Sequence, residues 1–257
     1  MALYFISDLH LDASRPDLAA AFFSYLKNLP EDAEHLYILG DFFEVWIGDD
    51  DDDAFHASVI DALKQATDSG ACISLLHGNR DFLLGSAFAQ MTGTTLLTEP
   101  YLLRYGTTPY LLMHGDALCT ADTRYMAFRQ QVRKPAWQAA LLQKPLGERR
   151  AIAASLRQDS KRESAAKDEY ITDVTQDDVV LQMRQAKVNT LIHGHTHRPA
   201  VHHFSVDGEP CTRMVLGDWN HYGFDIRLDE NGAKLRRFPI TNVQATEIVG
   251  EADSIGA

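Results

Sequence analysis

Residues 3–10 read Leu3-Tyr4-Phe5-Ile6-Ser7-Asp8-Leu9-His10. Four apolar residues stop at a serine, and an aspartate and a histidine follow, one residue apart. The apolar run reads as a buried strand, which puts Asp8 and His10 just past its carboxyl end. The same arrangement recurs along the chain. Strand-like runs at 36–39, 72–76, 110–113 and 190–192 are followed by Asp41, by Asn79 with Arg80, by His114, and by His193, His195 and His197. Glycine flanks most of these positions, in Gly40-Asp41, Gly78-Asn79, His114-Gly115 and Gly194-His195, and it admits the tight backbone such turns need.

Helical patterns lie between the strands. Pro16 with apolar Leu18, Phe22, Phe23 and Leu26 predicts one amphipathic helix. Residues 54–67 predict a second, with Asp52 or Asp53 as its cap, and Thr175 with Asp178 resembles a capping box opening another. Strands alternating with helices indicate a layered α/β fold. Loops at the carboxyl ends of the strands of such a sheet gather into one crevice, so residues far apart in sequence are expected to meet.

Beyond residue 201 the alternation gives way to strand signals. Asp207-Gly208 and Asn231-Gly232 separate alternating segments and predict hairpins, so the carboxyl third should be antiparallel and the sheets mixed. The polar tail after about residue 244 is expected to be poorly ordered. Residues 122–168 are helical in pattern but broken by Pro135 and by Pro145 with Gly147. They predict two or three short helices inserted into a single domain spanning 1–257.

Composition narrows the class. With 45% hydrophobic and 23% charged residues the chain is that of an ordinary globular protein. Its start lacks the pattern of a signal peptide, and no uncharged apolar run reaches about 18 residues. Cys72, Cys119 and Cys211 are scattered, which argues against a disulfide framework and for a reducing cytosol. The formal net charge is -12, yet residues 124–167 carry 11 Lys or Arg against Glu148, Asp159 and Glu163, a local +8. A basic block of this kind points to an anionic partner, or else to a solvated helical face. The run Asp49 to Asp53 reads as a solvated loop well placed at a helix N-terminus.

The series Asp8-x-His10, Gly40-Asp41, Gly78-Asn79-Arg80-Asp81, His114-Gly115-Asp116 and Gly194-His195-x-His197 resembles the calcineurin-like metallophosphoesterase superfamily. Within it, the residues around these motifs, at 6–11, 40–46, 77–82 and 216–219, are similar to the UDP-2,3-diacylglucosamine pyrophosphatase family of Gram-negative lipid A biosynthesis. That resemblance covers nearly the whole chain. It implies a layered αββα sandwich of mixed sheets with a helical cap. It also implies two divalent ions, manganese in that family: Asp8, His10 and His197 on one, Asn79, His114 and His195 on the other, and Asp41 bridging. A shared carboxylate holds two cations close enough to polarise one phosphoryl group and to lower the pKa of a bridging water. Ligands without thiolate suit Mn²⁺ or Fe²⁺ and do not exclude zinc. His193 is more readily the buried end of a strand than a group behind the ligands, and His77 is open to either reading.

Arg80 bears on the substrate. Many relatives carry histidine at that place, which can protonate an alcohol leaving group; arginine cannot. A diphosphate expels a phosphate and needs no such proton, while a guanidinium can neutralise its charge. Asp41, Asn79, Arg80, His114 and His195 are the expected catalytic residues. The resemblance maps substrate contacts onto Asn79, Arg80, Asp122, Ser160, Ser164, Lys167 and His195, with Ser164 standing where asparagine is expected. The implied reaction is attack of hydroxide held between the metals on the α-phosphorus of UDP-2,3-diacylglucosamine, giving UMP and 2,3-diacylglucosamine 1-phosphate. Trp137, Leu141, Leu142, Leu146, Ile152 and Leu156 interleave with basic residues in the cap. Such a cap can shelter acyl chains and rest on anionic headgroups at the cytoplasmic face of the inner membrane. It lacks the repeated aromatics of a nucleic-acid platform, so nucleic acid is not an expected partner.

Overall fold

The computed structural model describes residues 1–164 and 173–252, apart from the side chains of Lys161, Glu163 and Ser164. The first half runs β1 (Ala2–Ile6), α1 (Pro16–Lys27), β2 (Ala33–Leu39), α2 (Ala54–Asp68), β3 (Ile73–Leu76), α3 (Ser86–Thr92), β4 (Thr95–Leu96), β5 (Tyr101–Tyr105) and β6 (Thr108–Leu112). Three helices follow, α4 (Thr123–Val132), α5 (Pro135–Leu142) and α6 (Leu146–Ser164), then α7 (Gln176–Ala186) and β7 (Thr190–His193). The remainder is β8 (Ala200–Val206), β9 (Glu209–Val215), β10 (Tyr222–Asp229), β11 (Gly232–Pro239) and β12 (Glu247–Ala252).

These strands form two mixed sheets, ordered β12-β11-β10-β1-β2-β3-β4 and β5-β6-β7-β9-β8. Alternation along the central strands builds the layers, because successive side chains leave a strand on opposite faces. Tyr4, Ile6, Leu36 and Ile38 join a core with Phe22 of α1 and Val59 and Leu63 of α2. Their neighbours Leu3, Phe5, Tyr37 and Leu39 point the other way and meet Leu112, Ile192 and Met214 of the second sheet. Leu111 and Leu191 turn outward again onto Val179 and Met183 of α7. The result is helix, sheet, sheet, helix, the expected αββα sandwich.

All five predicted strands form, four of them within two residues of the predicted ends while β2 starts three residues early at Ala33, and both predicted hairpins are present. Asp53 caps α2, its carboxylate accepting from the amides of Phe55 and His56. Three expectations need correction. Thr175 does precede α7 but makes no capping bond; the Thr120 hydroxyl donates to Asp178 and pairs with the Thr175 hydroxyl, and so takes the place of the box. The cap has three helices, but α6 runs for 19 residues instead of a short segment, because Pro145 and Gly147 fall before and within its first turn, where they interrupt no hydrogen bonds. The tail is ordered through Ala252: β12 pairs antiparallel with β11 along the sheet edge, an unpaired edge offering what composition does not show.

Asp225 of β10 is fully buried, held by Arg236 through two bonds of 2.8 and 2.6 Å and by the Tyr25 hydroxyl of α1 at 2.9 Å. Removing one partner of a buried pair leaves a charge uncompensated. Arg236→Ala is therefore expected to lower stability by about 3–5 kcal/mol in urea unfolding; a loss under about 1 kcal/mol would mean that water reaches Asp225.

Candidate metal centre and adjoining chamber

The carboxyl ends of β1, β2, β3, β6 and β7 open onto one place, as the sequence predicts. Asp8, His10 and His197 bring their donor atoms together in one group, and Asp41, His114 and His195 in another. Asp41 reaches both, with Oδ2 3.9 Å from His10 Nε2 and Oδ1 3.6 Å from His114 Nε2. Asn79 Oδ1 lies 3.0 Å from His114 Nε2, on the second group. The structure thus brings all seven expected ligands to one place.

The turns that present these side chains are unusual. Asp8, His10, Asp41, His195 and His197 all have left-handed backbones, with φ of 55°, 48°, 48°, 68° and 56°. For residues other than glycine this costs on the order of 1–3 kcal/mol each unless neighbours enforce it. Neighbours do: the amides of Asp8 and His10 donate to the carbonyls of Gly40 and Asp41, and Trp219 donates to Asp8. Gly78 backs directly on Asp41, where a Cβ would overlap the Asp41 amide and carboxylate. Nothing in the sequence pattern announces this backbone, since aspartate and histidine carry no rule that demands it.

The donor set fits divalent cations. Asp8 Oδ2 accepts from Ser7 Oγ at 2.6 Å and from the His195 amide at 2.9 Å, while the buried Oδ1, 3.4 Å from His197 Nε2, has no hydrogen-bond partner among the described residues. His114 Nδ1 donates to the Leu39 carbonyl at 2.8 Å, which aims Nε2 at the centre. Burial works to lower the His114 pKa, but Asp41, Asp8, Asp116 and Glu99 together outweigh it and push it up to about 9. Burial likewise opposes ionisation of Asp8, yet His197, His114 and His10 hold its carboxyl well below the usual range. So many carboxylates around buried imidazoles call for positive charge, which divalent cations would supply. Burial and the proximity of His114 pull His195 down to about 4, leaving it a neutral donor of the kind a metal takes.

Not every polar neighbour belongs to the centre. His193 ends β7 fully buried, with Nδ1 on the Gly194 carbonyl and Nε2 beside Arg213; burial and Arg213 pull it down to about 3. It is the buried strand end expected. His77 Nε2 bonds the Leu84 carbonyl at 2.7 Å and is structural. Asp81 is buried on the amides of Phe42, Phe43 and Gly78, not on Arg80. Arg80 Nε is buried without a hydrogen-bond partner among the described residues.

A chamber of about 690 Å³ extends from the centre beneath the cap. Its lining includes His10, Asp41, Asn79, Arg80, His195 and His197 together with Trp46, Phe82, Phe128, Trp137, Ile152 and Leu156. Asp122 and Ser160 also border it, Asp122 capping α4 through the Tyr125 amide at 3.0 Å. The Ser164 side chain and all of Lys167 lie outside the described residues. Sequence reading missed the residues that tie cap to centre. Tyr125 and Arg129 of α4 donate to buried Asp116 at 2.7 and 2.8 Å, and Arg133 donates to the Gly78 carbonyl at 2.9 Å. The Tyr125 ring stacks 6.0 Å from that of His195. Only the motif His114-Gly115-Asp116 hinted at Asp116.

The calcineurin-like phosphoesterase family model matches residues 1–199, the span that carries every ligand. This chain belongs to the calcineurin-like phosphoesterase family. Among similar proteins, a UDP-2,3-diacylglucosamine hydrolase of Cellvibrio japonicus is 52% identical over 93% of this phosphoesterase and 100% of its own length. Proteins of the same name from Pseudomonas paraeruginosa and Pseudomonas aeruginosa are 50% and 49% identical, each over 93% of this chain and 100% of their own. The phosphoesterase is accordingly a metal-dependent hydrolase. Among its described residues no helix is long and apolar enough to cross a membrane.

Gly78→Ala in this phosphoesterase tests the seat of Asp41. Because the added methyl displaces that carboxylate, metal content after gel filtration should fall, with affinity weakened at least about tenfold. Undiminished metal with a folded protein would show that Asp41 is not shared between the two groups.

Proposed function

We propose that this enzyme hydrolyses the diphosphate of UDP-2,3-diacylglucosamine, releasing UMP and 2,3-diacylglucosamine 1-phosphate in lipid A biosynthesis. The observation that carries the reading is one chamber whose lining joins a metal-ligand constellation to apolar cap residues, with Arg80 beside the ligands. Such a chamber suits a substrate with a charged phosphoanhydride and long acyl chains. The names of relatives that match over their full length point to the same substrate.

Asp8, His10 and His197 would hold one divalent ion, Asn79, His114 and His195 the other, with Asp41 shared. When bound, two such ions, manganese by family resemblance, would supply Lewis-acid polarisation of the phosphoryl group and lower the pKa of water. The chain's own residues do the rest. Arg80, with a buried and unbonded Nε, meets the phosphate oxygens and offsets the charge that builds as water attacks the α-phosphorus in line. Because a guanidinium keeps its proton, Arg80 stabilises the leaving phosphate without protonating it. Asn79 and His195, beside Arg80 at the chamber wall, orient the diphosphate; Asp122 and Ser160, which border the chamber, supply further substrate contacts, to which family resemblance adds Ser164 and Lys167. The water oxygen ends on UMP, and the bridging oxygen leaves with the lipid phosphate.

A lipid substrate places the enzyme peripherally on the cytoplasmic face of the inner membrane. The support is an apolar cap that bears exposed Leu142, Lys134 and Arg162. Much of the cap's positive charge is engaged elsewhere, since Arg129, Arg133, Arg149, Arg150 and Arg157 all pair with acids of the body. Headgroup attraction therefore falls to cap cations not held by the body, Lys134 among them.

Purified protein with UDP-2,3-diacylglucosamine in detergent and Mn²⁺ should yield UMP and the lipid monophosphate by mass spectrometry, with turnover abolished by chelation. In water enriched in heavy oxygen the label should appear in UMP. Label in the lipid phosphate, or turnover confined to nucleic acid or cyclic nucleotides, would refute the assignment. Arg80→Ala should lower kcat about 10²–10³-fold while leaving metal content unchanged, and an equal loss of metal would relocate Arg80's role from substrate to centre.

A further inference from the structure

His10 Nδ1 and Glu44 Oε2 are 2.8 Å apart, joining loops 34 residues apart in sequence. An ionised carboxylate only accepts, so the imidazole carries its proton on Nδ1 and keeps the Nε2 lone pair. Nε2 is the atom that lies 3.1 Å from His197 Nε2 at the first ligand group. Glu44 thereby sets both the tautomer and the ring plane of His10. The other oxygen of the same carboxylate is paired with Arg157, in the middle of α6, and Arg157 also donates to the Glu44 carbonyl at 3.2 Å. Both side chains are about one-fifth exposed, 21% for Arg157 and 19% for Glu44, a setting where an ion pair is screened less than at an open surface.

We propose that Glu44 is a positioning residue shared by the metal centre and the cap, so that metal binding and the seating of α6 favour one another. A cation drawing His10 into place fixes Glu44, and fixed Glu44 gives Arg157 a rigid partner. Conversely, a seated α6 holds Glu44 where His10 needs it. Linkage requires the effect to run equally in both directions. Material that occupies the chamber under α6 should then tighten the hold on metal, coupling capture of substrate to completion of the centre. The inference rests on the metal centre described above and not on the identity of the substrate.

Amide hydrogen exchange over residues 149–158 compares metal-free protein with protein loaded with Mn²⁺. Loading should slow exchange there in the unaltered protein, and Arg157→Ala should abolish that response while still binding the ion. Free Mn²⁺, read by its paramagnetic resonance signal, should show binding weakened about 10- to 100-fold in Glu44→Ala. Glu44→Gln, which keeps an acceptor for His10, should recover most of that affinity without restoring the exchange response. Exchange in α6 that ignores metal in the unaltered protein overturns the linkage whether or not any variant folds. Ordinary Mn²⁺ affinity in Glu44→Ala overturns the positioning role. Failure of the unaltered protein to bind Mn²⁺ or Zn²⁺ would instead remove the metal centre itself, and this inference with it.

Discussion

The carboxylate of Asp41 is the point on which the centre depends. Its two oxygens face His10 and His114, its carbonyl receives the His10 amide, and its Oδ1 also accepts from the Arg80 amide at 2.8 Å. Four of the five loops at the strand ends are thus joined at Asp41 or across it, and Gly78 is glycine because a larger residue would strike it. Burying such a group is unfavourable unless it is hydrogen-bonded and matched by positive charge. The architecture supplies the hydrogen bonds, and the chemistry of the site supplies a reason for the charge.

The second organising feature is complementarity between cap and body. An insertion with eight excess positive charges and a remainder with twenty excess negative ones reads, in sequence, as an invitation to an outside partner. The structure turns much of that contrast inward. The aspartates at 50–52 receive Arg149 and Arg150 of α6; Asp50 and Asp52 stay largely solvated, as expected, while the Asp51 and Arg149 side chains are buried. Asp116 and Glu99 receive Arg129. Charge segregation along a chain can therefore mark an intramolecular interface as readily as a binding face.

What could be read beforehand follows from range. Strands, hairpins and the ligand series were legible because each is a local pattern: a run of apolar residues, an Asp-Gly turn, a histidine next to a glycine. That the ligands meet in one crevice followed from their places just past the strand ends, whereas the order of strands within each sheet was not legible. Glu44 and Asp116 were not legible as partners, because their meaning lies in arginines that approach from 113 and 13 residues away. β12 escaped for a related reason: its exposed Ile248 and Val249 show little alternation, and its place is set by the free edge of β11. Thr175 misled because a third residue, Thr120, competed for both members of an otherwise sound local motif.

The left-handed turns under Asp8, His10, Asp41, His195 and His197 have a bearing on how this protein would respond to laboratory evolution. Each is a place where the chain tolerates an unfavourable conformation to aim one side chain, and each would relax if glycine stood there. A library screened for heat tolerance alone would therefore be drawn toward the very positions that make the protein an enzyme. Sturdier descendants chosen without a catalytic test would tend to be well-folded sandwiches that have lost their chemistry.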